Sequence, residues 1–230
     1  MPRALLLLAI AALPACKPRP PAAPVASAPV DGTPAAPAAM FDGLFRDGAS
    51  WRFAVTHERS TWDDTDPEAD ANGNVTSTST FEVGCRVVAT RTFAGGRASE
   101  IACDEDADWR VRDRIAGVWY QNASGLWRGD ALPEPGEVPE LEADTRFLPA
   151  EPKPDSQETN DPEDENGPAG GSGSTWEITG AGGDWCVSES SWGGDEAWQK
   201  LCLDAEGPAS GATGFAGGST DEITFERIDP

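Results

Sequence analysis

The run Glu68-Ala-Asp70-Ala-Asn72-Gly73-Asn74-Val75 sets oxygen-bearing side chains at alternate positions, with glycine sixth and an apolar residue eighth. Alternate residues of a loop that curls can converge on one hard cation, so Glu68, Asp70 and Asn72 are candidate calcium ligands, with Asp63, Asp64 or Asp66 as substitutes. An acidic hairpin loop kept soluble by its charge explains the same residues with nothing bound, and is the preferred reading. Nine tryptophans against one tyrosine offer a second chemistry, because an exposed indole face stacks on a sugar ring. Packing claims Trp51, Trp176 and Trp185. Trp62 and Trp192, both beside turns, are the candidate stacking residues, and Trp109 and Trp198 could join them on an exposed platform. His57 is the sole imidazole, so a Ser–His–Asp arrangement has one possible base, on a strand beside Glu58 where a surface role is expected. No GxSxG, HExxH or phosphate-binding glycine loop is present, and no catalytic residue is assigned. Two acids at glycosidase spacing remain a possibility that such an acidic sequence neither favours nor removes.

The elements that must position these groups are legible around the cysteines. Five are present, and with Cys16 set aside four remain: Cys85, Cys103, Cys186 and Cys202. In an exported chain that even count predicts two disulfides. Around the first pair, Phe81, Val83, Cys85, Val87 and Ala89 alternate with Glu82, Arg86 and Thr90. A three-residue turn at Phe93-Ala94-Gly95 would set Cys85 opposite Cys103 and Val87 opposite Ile101. The second pair repeats the plan. A turn at Gly193-Gly194-Asp195 sets Cys186 against Cys202, Val187 against Leu201 and Trp185 against Leu203, with this bridge on the wetter face beside Ser188, Ser190 and Lys200. The predicted bridges are 85–103 and 186–202, each cross-strand with Cα atoms about 5.5 Å apart. No CxxC is present, so a thiolate metal site is not expected.

Elsewhere Trp51, Phe53 and Val55 alternate with polar residues, "GVWYQNASGLWRG" reads as a hairpin through Asn122–Gly125, and Trp176, Ile178, Ile223 and Phe225 mark late strands. No helical period is sustained, and Arg110, Arg112 and Arg114 read as the solvated face of a strand. The expected class is all-β, an antiparallel β-sandwich or strongly curved sheet with two cross-strand disulfide hairpins. An acidic, proline-rich insertion from Leu132 to Ser174 is expected to be disordered.

The apolar run Ala4–Leu13, preceded by Arg3, is too short to span a bilayer and reads as a cleaved signal peptide over residues 1–15. Leu13-Pro14-Ala15-Cys16 resembles the lipobox of bacterial lipoproteins, with Pro14 departing from the usual residue. The resemblance implies lipidation of Cys16 and, since Lys17 follows it, sorting to the outer membrane. Residues 16–40 are a Pro/Ala-rich linker, a tether of roughly 70 Å when extended, and residues 41–230 form the acidic β domain. Its opening "LFRDGASWRFAV" resembles that of uncharacterised bacterial envelope lipoproteins, which implies no activity. The calcium-candidate run resembles the EF-hand loop, with Glu first and Ser79 at the twelfth position, where a bidentate Glu is usual.

With 17 Lys+Arg against 40 Asp+Glu, the formal charge is −23, which repels nucleic acid and anionic headgroups. The expected partners are the membrane, through the lipid anchor, and a cationic, calcium or envelope-component ligand; no cofactor is expected beyond calcium. The expected function is a lipid-anchored cell-envelope protein with a non-catalytic binding or scaffolding β domain. The alternatives are a calcium- or glycan-binding adhesion module and a carboxylate-based hydrolase.

Overall fold

The computed structural model describes residues 40–228 apart from 64, 154–155, 161–172 and 182. The signal peptide, Cys16 and the linker up to residue 39 lie outside the described residues.

The chain forms strands β1 (Ser50–Trp62), β2 (Asn74–Phe93) and β3 (Gly96–Cys103), a short helix α1 (Trp109–Ile115), then β4 (Gly117–Asn122), β5 (Gly125–Gly129) and β6 (Arg146–Pro149). The second half is β7 (Ser156–Asn160), β8 (Gly173–Ala181), β9 (Asp184–Trp192), β10 (Glu196–Asp204), β11 (Gly207–Ala216) and β12 (Ser219–Ile228). All twelve lie in one antiparallel sheet, in the order β6-β5-β4-β3-β2-β1-β12-β11-β10-β9-β8-β7, curled into a half-barrel. Two meanders are thus joined where the first strand pairs with the last. The two sheet edges, β6 and β7, are consecutive in sequence and short, which limits the unpaired backbone they present. The strongly curved sheet is the alternative realised.

Register assigns the faces. Val55 lies opposite Phe81 and Phe225, and Phe225 opposite Gly211. The concave face therefore collects Phe53, Val55, Val83, Ile101, Trp119, Leu201, Ile223 and Phe225, all buried. A 3-10 turn at Asp42–Phe45 plugs one end of the trough with Leu44 and Phe45. Gly43 makes that plug possible: its N–H donates to Ala205 O at 2.9 Å, and a Cβ there would stand 1.9 Å from Glu206 O. Trp51 Nε1 donates to the same Glu206 carbonyl at 2.7 Å.

Both disulfides form as predicted, Cys85–Cys103 on the concave face and Cys186–Cys202 on the convex face. Their Cα atoms are 3.9 Å apart, closer than expected. Each bridge has one buried and one half-buried cysteine, so the second is not the wetter. The reason is that the convex face is itself packed here, with Cys202 buried beside Ser210 of β11. In the first hairpin the turn is tighter than predicted. Phe93 pairs with Gly96 across two residues, and a bulge at Val88 restores the Cys85–Cys103 register. Past the bulge the faces exchange: Thr90 pairs with buried Ser99, and Ala89 with exposed Glu100.

Two further expectations are corrected. Arg110, Arg112 and Arg114 lie on α1, not on a strand. Asp108 caps it by accepting from Arg110 N at 2.9 Å, and Ala107, Val111 and Ile115, spaced by four, bury one stripe. The segment from Leu132 was expected to be disordered, yet Leu132 and Leu141 cover Ala98, Val118, Tyr120 and Trp127 on the convex face, and Leu148 of β6 is buried in the trough. Sparse but well-placed leucines anchor an otherwise acidic segment, as far as Lys153. Strand β7 follows, and residues 161–172 lie outside the described residues.

Candidate ligand-binding cleft

At the end of the half-barrel opposite the plug, the trough opens into a cleft of about 800 Å³ between α1 and strands β8–β12. Its walls follow from register. Trp176, Glu189, Gln199 and Thr213 form one row across β8, β9, β10 and β11, and Ser174, Ser191, Ala197, Phe215 and Asp221 form the next row toward the open end. The helix supplies Trp109 and Arg110. Two of the aromatic side chains are unusually open for their size, Trp109 at 61% and Phe215 at 42% exposure.

The charged wall is internally neutralised. Arg110 chelates Asp108, Nε to Oδ1 at 3.0 Å and Nη2 to Oδ2 at 2.9 Å, and also donates to Asp221. His57 Nε2 lies 3.0 Å from the same Asp221 oxygen. The hydrogen bond from Arg110 is the main cause that holds the Asp108 carboxyl below its ordinary value, and Asp108 in turn raises Arg110. This network ties α1 to β1 and β12, so it sets the width of the mouth. His57, expected at the surface, is a half-buried member of it.

Below the cleft, a second cavity of about 240 Å³ runs under the far half of α1, lined by Arg114, Trp119, Arg128 and Phe147 and sharing Glu189 and Gln199 with the first. Arg128 stacks on Trp119, 4.4 Å from the ring centroid. Burial, reinforced by the neighbouring Arg114, pulls its guanidinium down to about 10. Burial also lowers Arg114, which Glu189 and Asp113 partly offset. Glu189 accepts from the Gln199 amide.

The residues singled out in the sequence fall elsewhere. Trp62, 63% exposed, ends β1 on the convex face, and Trp192, 37% exposed, ends β9 on that face too. Trp198 is also convex, its indole against Gly214. Of the four, Trp109 lines the concave cleft from the helix, and Trp198 lines it from β10 although its register position is convex. In the β1–β2 loop the carboxylates turn to their own backbone. Asp63 accepts from Thr65 N at 3.0 Å, Asp66 from Glu68 N at 2.8 Å, and Asp70 from Asn72 N and Asn74 N at 2.8 and 2.9 Å. These bonds hold Asp63 and Asp70 below the usual carboxylate value, from the Thr65 side chain first in one case and the Asn74 backbone in the other. Among the described residues no three His, Cys, Asp or Glu gather as a metal cluster; Asp64 lies outside them. What sequence reasoning missed is Glu189, Gln199 and Phe215, and the one available signal was their shared parity with buried Val187, Leu201 and Gly211. Searches against protein-family models, curated proteins and solved structures gave no match, so the cleft is read from its own chemistry.

Proposed function

We propose that the chain is a lipid-anchored envelope protein whose β domain binds a small organic ligand in the concave cleft. The observation that carries this reading is the cleft itself: about 800 Å³, within the span of small-molecule sites, lined by exposed Trp109 and Phe215, by half-buried Trp176 and by hydroxyl and amide groups. Large exposed rings cost solvation unless something covers them, and a ligand with an apolar body does so. Two disulfides fit an oxidising compartment outside the cytosol. Met40 enters beside the plugged end, where its carbonyl accepts from Gln121.

The cleft reading is tested with a neutral naphthylamine probe whose fluorescence rises in apolar surroundings. The protein should bind it at one saturable site, and Ala197→Trp, which fills the cleft, should remove that site while the circular dichroism spectrum is kept. Equal binding by both proteins would place the probe elsewhere and defeat the reading. The anchor is tested separately: an alkyne fatty acid fed to cells should label the chain, and Cys16→Ala should abolish the label.

A further inference from the structure

Arg114 and Glu189 both line the smaller cavity, one held by α1 and the other by β9, and Glu189 lines the larger cleft as well. The other guanidiniums lining the two cavities are engaged: Arg110 by Asp108 and Asp221, Arg128 by the carbonyls that end α1. Among the described residues the Arg114 side chain makes no hydrogen bond or ion pair, although it is half-buried. Glu189 is engaged by one neutral amide. The helix and the strand thus set two opposite charges on the wall of one cavity without a direct ion pair, with Asp113 as a further acid beside Arg114.

That arrangement selects among ligands. An anion alone would gain Arg114 but meet Glu189, and a cation alone would meet the reverse. A zwitterion satisfies both, and the adjoining cavities of about 800 and 240 Å³, which share Glu189 and Gln199 in their walls, leave room for far more than a charged head. We propose that the cleft takes a zwitterionic amphiphile, its ammonium on Glu189, its phosphate on Arg114, and its apolar body against Trp109, Trp176 and Phe215. A guanidinium offers phosphate paired donors, and the indole faces add attraction for an ammonium that passes them. This rests on the cleft being the ligand site, and it adds the ligand's class.

The test uses the full chain carrying Cys16→Ala, so that no acyl group of its own competes, and follows calorimetric heat with dihexanoyl phosphatidylethanolamine below its micellar concentration. Dihexanoyl phosphatidylglycerol supplies the same tails and phosphate without the amine, and glycerophosphoethanolamine the head without tails. The ethanolamine lipid should bind at least about tenfold more tightly than either. Glu189→Gln should weaken the ethanolamine lipid by roughly tenfold and leave or improve the glycerol lipid, whereas Arg114→Gln should weaken both. Retained binding of the neutral naphthylamine shows each variant folded. Equal affinity for the two lipids, or an ethanolamine lipid indifferent to Glu189→Gln, overturns the headgroup assignment while the cleft stands. Tail-less glycerophosphoethanolamine binding as tightly as the lipid overturns the amphiphile in favour of a free zwitterion. Loss of naphthylamine binding in the parent protein removes the cleft reading beneath it.

Discussion

Arg128 on β5 reaches across the concave face to the carbonyl of Ala116, just past the end of α1, at 2.7 Å, and its other hydrogen bonds run to the carbonyls of Asp113, Arg114 and Ile115 at 3.2 to 3.4 Å. These are the acceptors that a helix end leaves without partners, and a cation there also meets the negative end of the helix dipole. Arg128→Met keeps the bulk over Trp119 but strands those carbonyls. It should cost about 2–4 kcal/mol in urea unfolding. A variant within about 0.5 kcal/mol of the parent would show that water caps the helix as well.

The mouth of the cleft depends on Asp108. Its carboxyl is lowered, so the unfolded chain takes up the proton first as pH falls below the ordinary value of 3.8. The stabilisation is therefore complete above about pH 5 and is lost as pH drops through the folded value. Asp108→Asn should lower the melting temperature at pH 6, and the gap between variant and parent should narrow by pH 3. A gap of constant size across that range would detach the effect from this carboxyl.

The two disulfides close loops of similar size, with separations of 18 and 16 residues. By chain entropy each contributes about 3 kcal/mol. Serine pairs at either site should therefore destabilise by comparable amounts in denaturant titration, and non-reducing peptide maps should contain 85–103 and 186–202 alone. An 85–186 peptide would contradict the register of both hairpins.

Gly43 lets the plug lie against the turn at Glu206, where a Cβ has no space. Gly43→Ala should destabilise by about 1–3 kcal/mol, the usual cost of overpacking. Because the plug is at the end away from the cleft, naphthylamine affinity should hardly change below the melting point. A large loss of affinity would mean that the two ends are coupled.

Local periodicity made the hairpins readable. Val187 and Leu201, or Cys85 and Val87, announce their faces within a few residues, and a bulge such as Val88 moves the turn without moving the bridge. Helix α1 was hidden because seven residues hold fewer than two helical repeats, and three alternating arginines imitate a strand face. The cleft was hidden for a different reason. Its walls come from β8, β9, β10, β11, β12 and α1, and the curl that brings them together follows from β1 pairing with β12, which joins residues such as His57 and Ile223 far apart in sequence. In one strand, Glu189 and Ser191 look like solvent-facing positions; only the curl of the sheet sets them on the concave face, where they line the cleft while staying exposed.

The cleft assignment is tested most directly by the indole N–H resonances of the nine tryptophans, assigned one by one by mutation. On titration with the naphthylamine probe the Trp109 and Trp176 signals should shift and saturate together, with Trp119, whose N–H is bonded to Ile115 O at 3.0 Å, following only weakly. Trp62 and Trp192, on the convex face, should stay still. Shifts confined to Trp62 and Trp192, with Trp109 and Trp176 unmoved, would put the binding surface on the opposite side of the sheet.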